Sequence, residues 1–186
     1  MRNSPSRTDI WMRKRMPDVT LVEGSLSFAF EGVDFAEKYD DWKHYRKQYI
    51  HTCGGSKAVD FLVSKNDEIW LIEVKDFRQH RRSKAIDLAD EIALKVRDTM
   101  AGLVSAKFLA NDTNEATASR TALSCAKLRI GFHLEQPRQP SRLFPVSVNP
   151  ANVKMKLRQI LRFADPHPEV FDRRSFPARL GTVESI

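Results

Sequence analysis

Two cysteines in 186 residues, Cys53 and Cys125, are too few to build a disulfide framework. Neither stands in a CxxC or Cys/His spacing that holds zinc, so both are expected as reduced thiols of a cytoplasmic protein. No run approaches the ~18 consecutive apolar residues that a membrane-spanning helix requires. The basic start, MRNSPSRTDIWMRKRMP, lacks the apolar stretch of a secretory signal. Internal repeats and low-complexity blocks are absent as well. What is present is 41% hydrophobic and 30% charged residues, the balance of an ordinary globular chain rather than a disordered one. A chain of this length buries roughly two-thirds of its unfolded surface and folds without cross-links. The formal net charge is +7, which favours polyanionic partners, nucleic acid foremost.

The pattern along the chain divides it into a basic N-terminal arm over 1–18, one folded domain over 19–165 and an irregular tail over 166–186. The arm contains Pro5, Pro17 and the Arg13-Lys14-Arg15 run. Residues 21–30 alternate loosely and predict a strand. Phe35, Tyr39, Trp42, Tyr45 and Tyr49 fall at helical spacing and predict an aromatic-faced helix over 35–49. Two strand-like runs follow, KAVDFLVS at 57–64 and EIWLIEVKD at 68–76, with Lys65-Asn66-Asp67 between them as a hairpin turn. A long amphipathic helix is expected over about 84–110, with Ser83 as its N-cap. Residues 111–121 read as a polar loop, 126–135 as a strand and 152–163 as a basic helix.

The hairpin carries the chemical signal. Opposed residues of an antiparallel pair have a constant number sum, so a turn centred on Asn66-Asp67 sets Asp60 opposite Glu73. Directly opposed side chains share a face with Cβ atoms about 5 Å apart. Lys75, two residues from Glu73, shares that face too. Two carboxylates facing each other raise each other's pKa, and a divalent cation between them removes that cost. Mg²⁺ takes one or two carboxylates plus water and phosphate oxygens, with Mn²⁺ as a substitute. Lys75 would orient an attacking water or steady phosphate charge. A buried ion pair without catalytic work is the plainer reading of the same residues.

Asp60, a twelve-residue gap and then Glu73-Val74-Lys75 resembles the PD-(D/E)xK nuclease superfamily, over about residues 35–135. The resemblance implies a restriction-endonuclease-like α/β fold, with a central mixed β-sheet flanked by helices. It also implies a metal-dependent nuclease and hydrolase, with Asp60, Glu73 and Lys75 catalytic. The metal would be held by Asp60, Glu73 and the Val74 carbonyl. Val59 stands where the family pattern has proline. Family members add an acid from an N-terminal helix; Glu37 is the candidate, with Asp40, Asp41 and Glu31 behind it. DNA is the expected substrate, RNA stays open, and a homodimer is the family's usual way of cutting both strands. The alternative is a non-catalytic nuclease-like module that binds nucleic acid or a protein partner.

After the second hairpin strand, Arg78, His80, Arg81, Arg82 and Lys84 form a basic cluster suited to phosphate contact. Lys95 and Arg97 on the long helix lie at the margin of its apolar stripe, where a side chain can reach the sheet.

Overall fold

In the computed structural model, the residues described are 16–79, 82, 85–137 and 148–186. The elements run β1 (Val19–Glu23), β2 (Leu26–Phe30), β3 (Phe35–Lys38), β4 (Phe61–Lys65), β5 (Glu68–Asp76), α1 (Leu88–Leu109), α2 (Thr113–Ser124), β6 (Lys127–Glu135), α3 (Pro150–Ile160), β7 (Glu169–Phe171) and β8 (Gly181–Ser185). They build an α/β fold with two sheets.

The larger sheet has the order β3-β4-β5-β6-β7. Its first two pairings are antiparallel and its last two parallel, so it is the mixed sheet expected. Asn66 and Asp67 both adopt left-handed backbone, φ 53° and 61°. That is the two-residue turn whose twist matches a hairpin, and it sets Lys65 opposite Glu68 and Phe61 opposite Ile72. Parallel neighbours need a crossover. α1 and α2 supply it between β5 and β6, and α3 between β6 and β7.

Alternation along β4 and β5 divides the core in two. Phe61, Val63, Trp70, Ile72 and Val74 face β2, β8 and Phe176. There Phe28 meets Phe61 edge-on with centroids 4.9 Å apart. Leu62, Ile69 and Leu71 face the other way, against Ile92, Val96 and Leu103 of α1 and Leu157 of α3. The sheet is therefore sandwiched, with helices on one face and the small sheet β1-β2-β8 on the other.

Several expectations are corrected. Residues 35–49 are not one helix. Phe35–Lys38 pair with β4, a 3₁₀ turn follows at Tyr39–Asp41, and only 43–49 are helical, ending in a π-helix over Tyr45–Tyr49, with Tyr39, Trp42 and Tyr45 in the core. The open edge of β4 offers backbone partners that a helix would leave unused. The Tyr39 ring instead packs 5.0 Å from Trp42 and 5.5 Å from Tyr45. Of residues 111–121, expected as loop, all from Thr113 on belong to the helix α2. Asp112 caps the first turn by accepting from the Asn114 N–H, and a small-residue face of Ala116, Ala118 and Ala122 is buried. α1 starts at Leu88 with Asp87 as its cap; Ser83 lies outside the described residues. Residues 21–30 hold a turn at Gly24-Ser25 that separates β1 from β2. The stretch expected to be irregular, 166–186, supplies β7 and β8, one strand to each sheet. Most of the expected arm lies outside the described residues, but Pro17 and Asp18 are tied to the loop at Gly32-Val33. Among the described residues, no helix is long and apolar enough to cross a membrane.

Gly102, inside α1, shows how tightly the helix is set on the turns below it. A Cβ there would stand 2.0 Å from the Tyr39 hydroxyl and 3.1 Å from the Tyr49 ring. Alanine normally improves a helix interior over glycine by about 1 kcal/mol. Here Gly102→Ala is expected to lower stability by roughly 1–3 kcal/mol, because the fully buried Tyr39 ring has nowhere to move. Thermal denaturation checks this; an unchanged or raised Tm would show that α1 sits further from Tyr39.

Candidate functional site

The hairpin register places Asp60 and Glu73 as expected. Asp60 immediately precedes β4, and its backbone N–H donates to Ile72 O at 3.1 Å. Both carboxylates lie on the sheet face that α1 covers, and both are buried. Asp60 Oδ2 accepts from the Val74 N–H at 2.6 Å. Val74 thus contributes its amide to Asp60, where the sequence suggested its carbonyl as a metal ligand.

The group between the two acids is the ammonium of Lys95. Its Nζ lies 2.6 Å from Glu73 Oε1, 2.8 Å from Glu73 Oε2 and 3.6 Å from Asp60 Oδ1. Lys75 also donates to Glu73 Oε1. The cluster is therefore two carboxylates and two ammoniums, and Lys95 is the member the trio expected from sequence omitted. Its signal was its place on α1, one turn from Glu91 and between the buried Ile92 and Val96. A lysine there must either snorkel or find an acid.

The electrostatics follow from burial. Desolvation pushes the Glu73 carboxyl from an ordinary 4.5 up to about 7; Asp60 adds to the rise, while Lys95 and Lys75 oppose it. For Lys95, burial alone lowers the pKa, but the Glu73 and Asp60 carboxylates outweigh it and hold the ammonium above its usual range. The two shifts assign different roles within one cluster. Lys95 is stabilised as a cation by both acids, and burial favours the protonated form of Glu73.

A cavity of about 360 Å³ opens over the cluster, lined by Asp40, Tyr45, Arg46, Lys57, Asp60, Glu91 and Lys95 among others. Asp40 is pushed up to about 6, by burial first and then by Asp60. Glu37, the acid expected to join the site, does not. It lines a separate cavity against α2, with Asn114 and Thr117. The β3–β4 register carries on to set Tyr39 opposite Asp60, whose carbonyl accepts from the Tyr39 N–H, and the turn at Tyr39–Asp41 that ends the strand then puts Asp40 beside the cavity. A divalent ion between Asp60 and Glu73 would need the place that the Lys95 ammonium takes. Among the described residues, no group of three or more His, Cys, Asp or Glu side chains is arranged to hold a metal. The residues as placed do not fit Mg²⁺ or Mn²⁺.

The basic cluster after β5 is also engaged internally. Arg78 grips the Asp76 carboxylate and donates to Ser25 and Ser185. Arg82 donates to Glu91 at 2.7 Å and to Ile86 O. His80, Arg81 and Lys84 lie outside the described residues.

With this geometry in place, one likeness decides the direction. The chain is similar to a cysteine–tRNA ligase. The relative is that of Neisseria meningitidis serogroup A / serotype 4A (strain DSM 15465 / Z2491), 34% identical over an alignment of 184 residues. The alignment covers 81% of this chain and 26% of the ligase, so the chain spans about a quarter of the relative's length. No family model and no solved structure matches the chain. The likeness to a tRNA ligase overturns the PD-(D/E)xK resemblance and, with it, the assignment as a metal-dependent nuclease and hydrolase. The physical reason the motif misled is visible in the cluster. Asp-x₁₂-Glu-x-Lys records that two acids and an amine share one face, and an ammonium that neutralises both acids satisfies that pattern.

Two variants test the cluster. Lys95→Met leaves Glu73 and Asp60 buried without their shared counter-ion, a change expected to cost about 3 kcal/mol or more of unfolding free energy. The pH dependence has a fixed sign. A carboxyl raised from 4.5 to about 7 binds more protons folded than unfolded within that interval, so its contribution to stability falls as pH rises through it. Denaturant titrations of wild type and Glu73→Gln across this range are expected to show the wild-type advantage shrinking with pH. A flat or growing advantage would mean that Glu73 is ionised throughout.

Proposed function

We propose that this chain serves an aminoacyl-tRNA synthetase-related function, as a segment that binds tRNA in support of a ligase-type enzyme. The observation that carries the reading is the 34% identity to a cysteine–tRNA ligase across most of the chain. Two features of the chain itself support a binding role over a chemical one. None of its seven glycines forms a G-x-G-x-x-G or G-x-x-x-x-G-K phosphate cradle, so no glycine-rich loop of either kind is offered to a nucleotide. The buried acids Asp60 and Glu73 are neutralised by lysines in the Asp60–Lys95–Glu73–Lys75 cluster. The net charge of +7 supplies the complement to a phosphate backbone.

Fluorescence anisotropy with labelled tRNA, and a DNA duplex of similar length as competitor, tests this directly. tRNA affinity is expected to fall steeply as salt rises from about 50 to about 200 mM, because bound counter-ions are released on association. tRNA is expected to outcompete the duplex. Absence of tRNA binding at the lower salt, or preference for the duplex, would overturn the reading.

A further inference from the structure

We propose that α3 and the turn that follows it form the surface that contacts the tRNA phosphate backbone, with Arg158 at its centre. The inference rests on the tRNA-binding reading above and specifies where that binding occurs.

From 148 to 164 the chain holds four cations, Lys154, Lys156, Arg158 and Arg162, and no acid. The helix is oriented by its apolar side. Val153, Leu157 and Leu161 are buried against the core, so the residues that follow each of them, Lys154, Arg158 and Arg162, are turned outward and exposed. Lys154 and Arg158 stand about 6 Å apart along the helix direction, and Arg162 follows in the turn after it. Two grooves meet at Arg158. One is lined by Lys154, Arg158, His167 and Ser175, the other by Met155, Arg158, Gln159, Arg162 and Pro166.

The charge on this surface is available, and its three unpaired cations are set in one row. Lys154, Arg158 and Arg162 make no ion pair among the described residues, whereas Lys43, Arg46, Arg78, Arg82 and Arg97 are each held by a carboxylate. Lys156 is turned away to Asp87 and Asp90 at 3.0 and 2.8 Å. The nearby acids do not oppose a phosphate. Glu169 is paired with Arg179, and the buried Asp165 accepts from the N–H groups of Ile130 and His167. The Asp165 bond to β6 also fixes the end of α3 against the sheet, so the row of cations is held by the core and does not drift.

Beside the cations runs a second row, Met155, Gln159 and Phe163. Met155 is 59% and Phe163 69% exposed. An uncovered ring next to unpaired guanidinium groups suits RNA, in which unstacked bases lie close to phosphates. Anionic lipid is the competing polyanion, and the test includes it.

The triple variant Lys154→Gln, Arg158→Gln, Arg162→Gln is compared with a triple variant that removes the same charge elsewhere, Lys47→Gln, Lys107→Gln, Arg120→Gln. In anisotropy titrations at about 0.1 M salt, the α3 variant is expected to lose about tenfold or more in tRNA affinity. The slope of log K against log salt should shrink by about two units, with the control within about twofold of wild type. Circular dichroism and Tm establish that each variant is folded. Arg158→Gln alone, a single exposed change, is expected to carry the largest share of the loss and replaces the triple variant if that one unfolds. Wild-type binding that survives in the α3 variant, or falls equally in both variants, overturns the surface while leaving tRNA binding in place. A wild type that binds no tRNA removes both. Tighter wild-type binding to phosphatidylserine vesicles than to tRNA, lost in the α3 variant, reassigns the surface to membrane and overturns the proposal.

Discussion

One ammonium holds the two halves of the larger core together. Lys95 rises from the middle of α1 into the sheet face and reaches Glu73 on β5 and Asp60 at the head of β4. An apolar side chain at that point would bury Asp60 without a counter-ion and leave Glu73 with Lys75 alone, and removing both acids would strand the lysine. The cluster therefore specifies a position. α1 must cross β5 with Lys95 over Glu73, which in turn seats Ile92 and Val96 on the sheet and lowers Gly102 onto Tyr39. It is a specificity device more than a source of stability, since burial strains Glu73 even with two ammoniums beside it.

The legibility of the fold followed the strength of local constraint. The β4–β5 hairpin was readable because a two-residue turn with left-handed Asn66 and Asp67 leaves one register, and that register brought Asp60 and Glu73 together. β6 and the basic helix were readable from apolar periodicity. What failed was whatever depended on partners distant in sequence. Phe35–Lys38 is a strand only because β4 offers it an edge. β8 is a strand only because β2 lies open 150 residues earlier in the chain. α2 hid behind a polar sequence whose buried face is alanine and serine. Within the site, Asp60, Glu73 and Lys75 could be placed by strand arithmetic. Lys95 could not be placed that way, because its angle depends on how α1 docks. That missing cation changed the meaning of the motif, from a pocket awaiting a metal to a network already neutral within itself.

The rest of the charge distribution then becomes intelligible. Several arginines and lysines of the described surface, Lys43, Arg46, Arg78, Arg82 and Arg97 among them, have carboxylate partners. α3 and the turn after it differ, with the unpaired Lys154, Arg158 and Arg162 outward and Val153, Leu157 and Leu161 inward. A chain similar to a quarter of a tRNA ligase thus buries Asp60 and Glu73 with Lys95, where they set the fold, and turns the unpaired Lys154, Arg158 and Arg162 outward, where they meet solvent.

Amide hydrogen exchange of the full chain, with and without tRNA, reads both parts at once. Added tRNA should slow exchange at the solvent-facing end of α3 and in the turn through Ala164, while the amides of β5 around Glu73 stay as slow as they were in the free protein. Protection confined to the Asp60–Glu73 strands and α1, with α3 unaffected, would contradict the account by returning the ligand to the buried cluster.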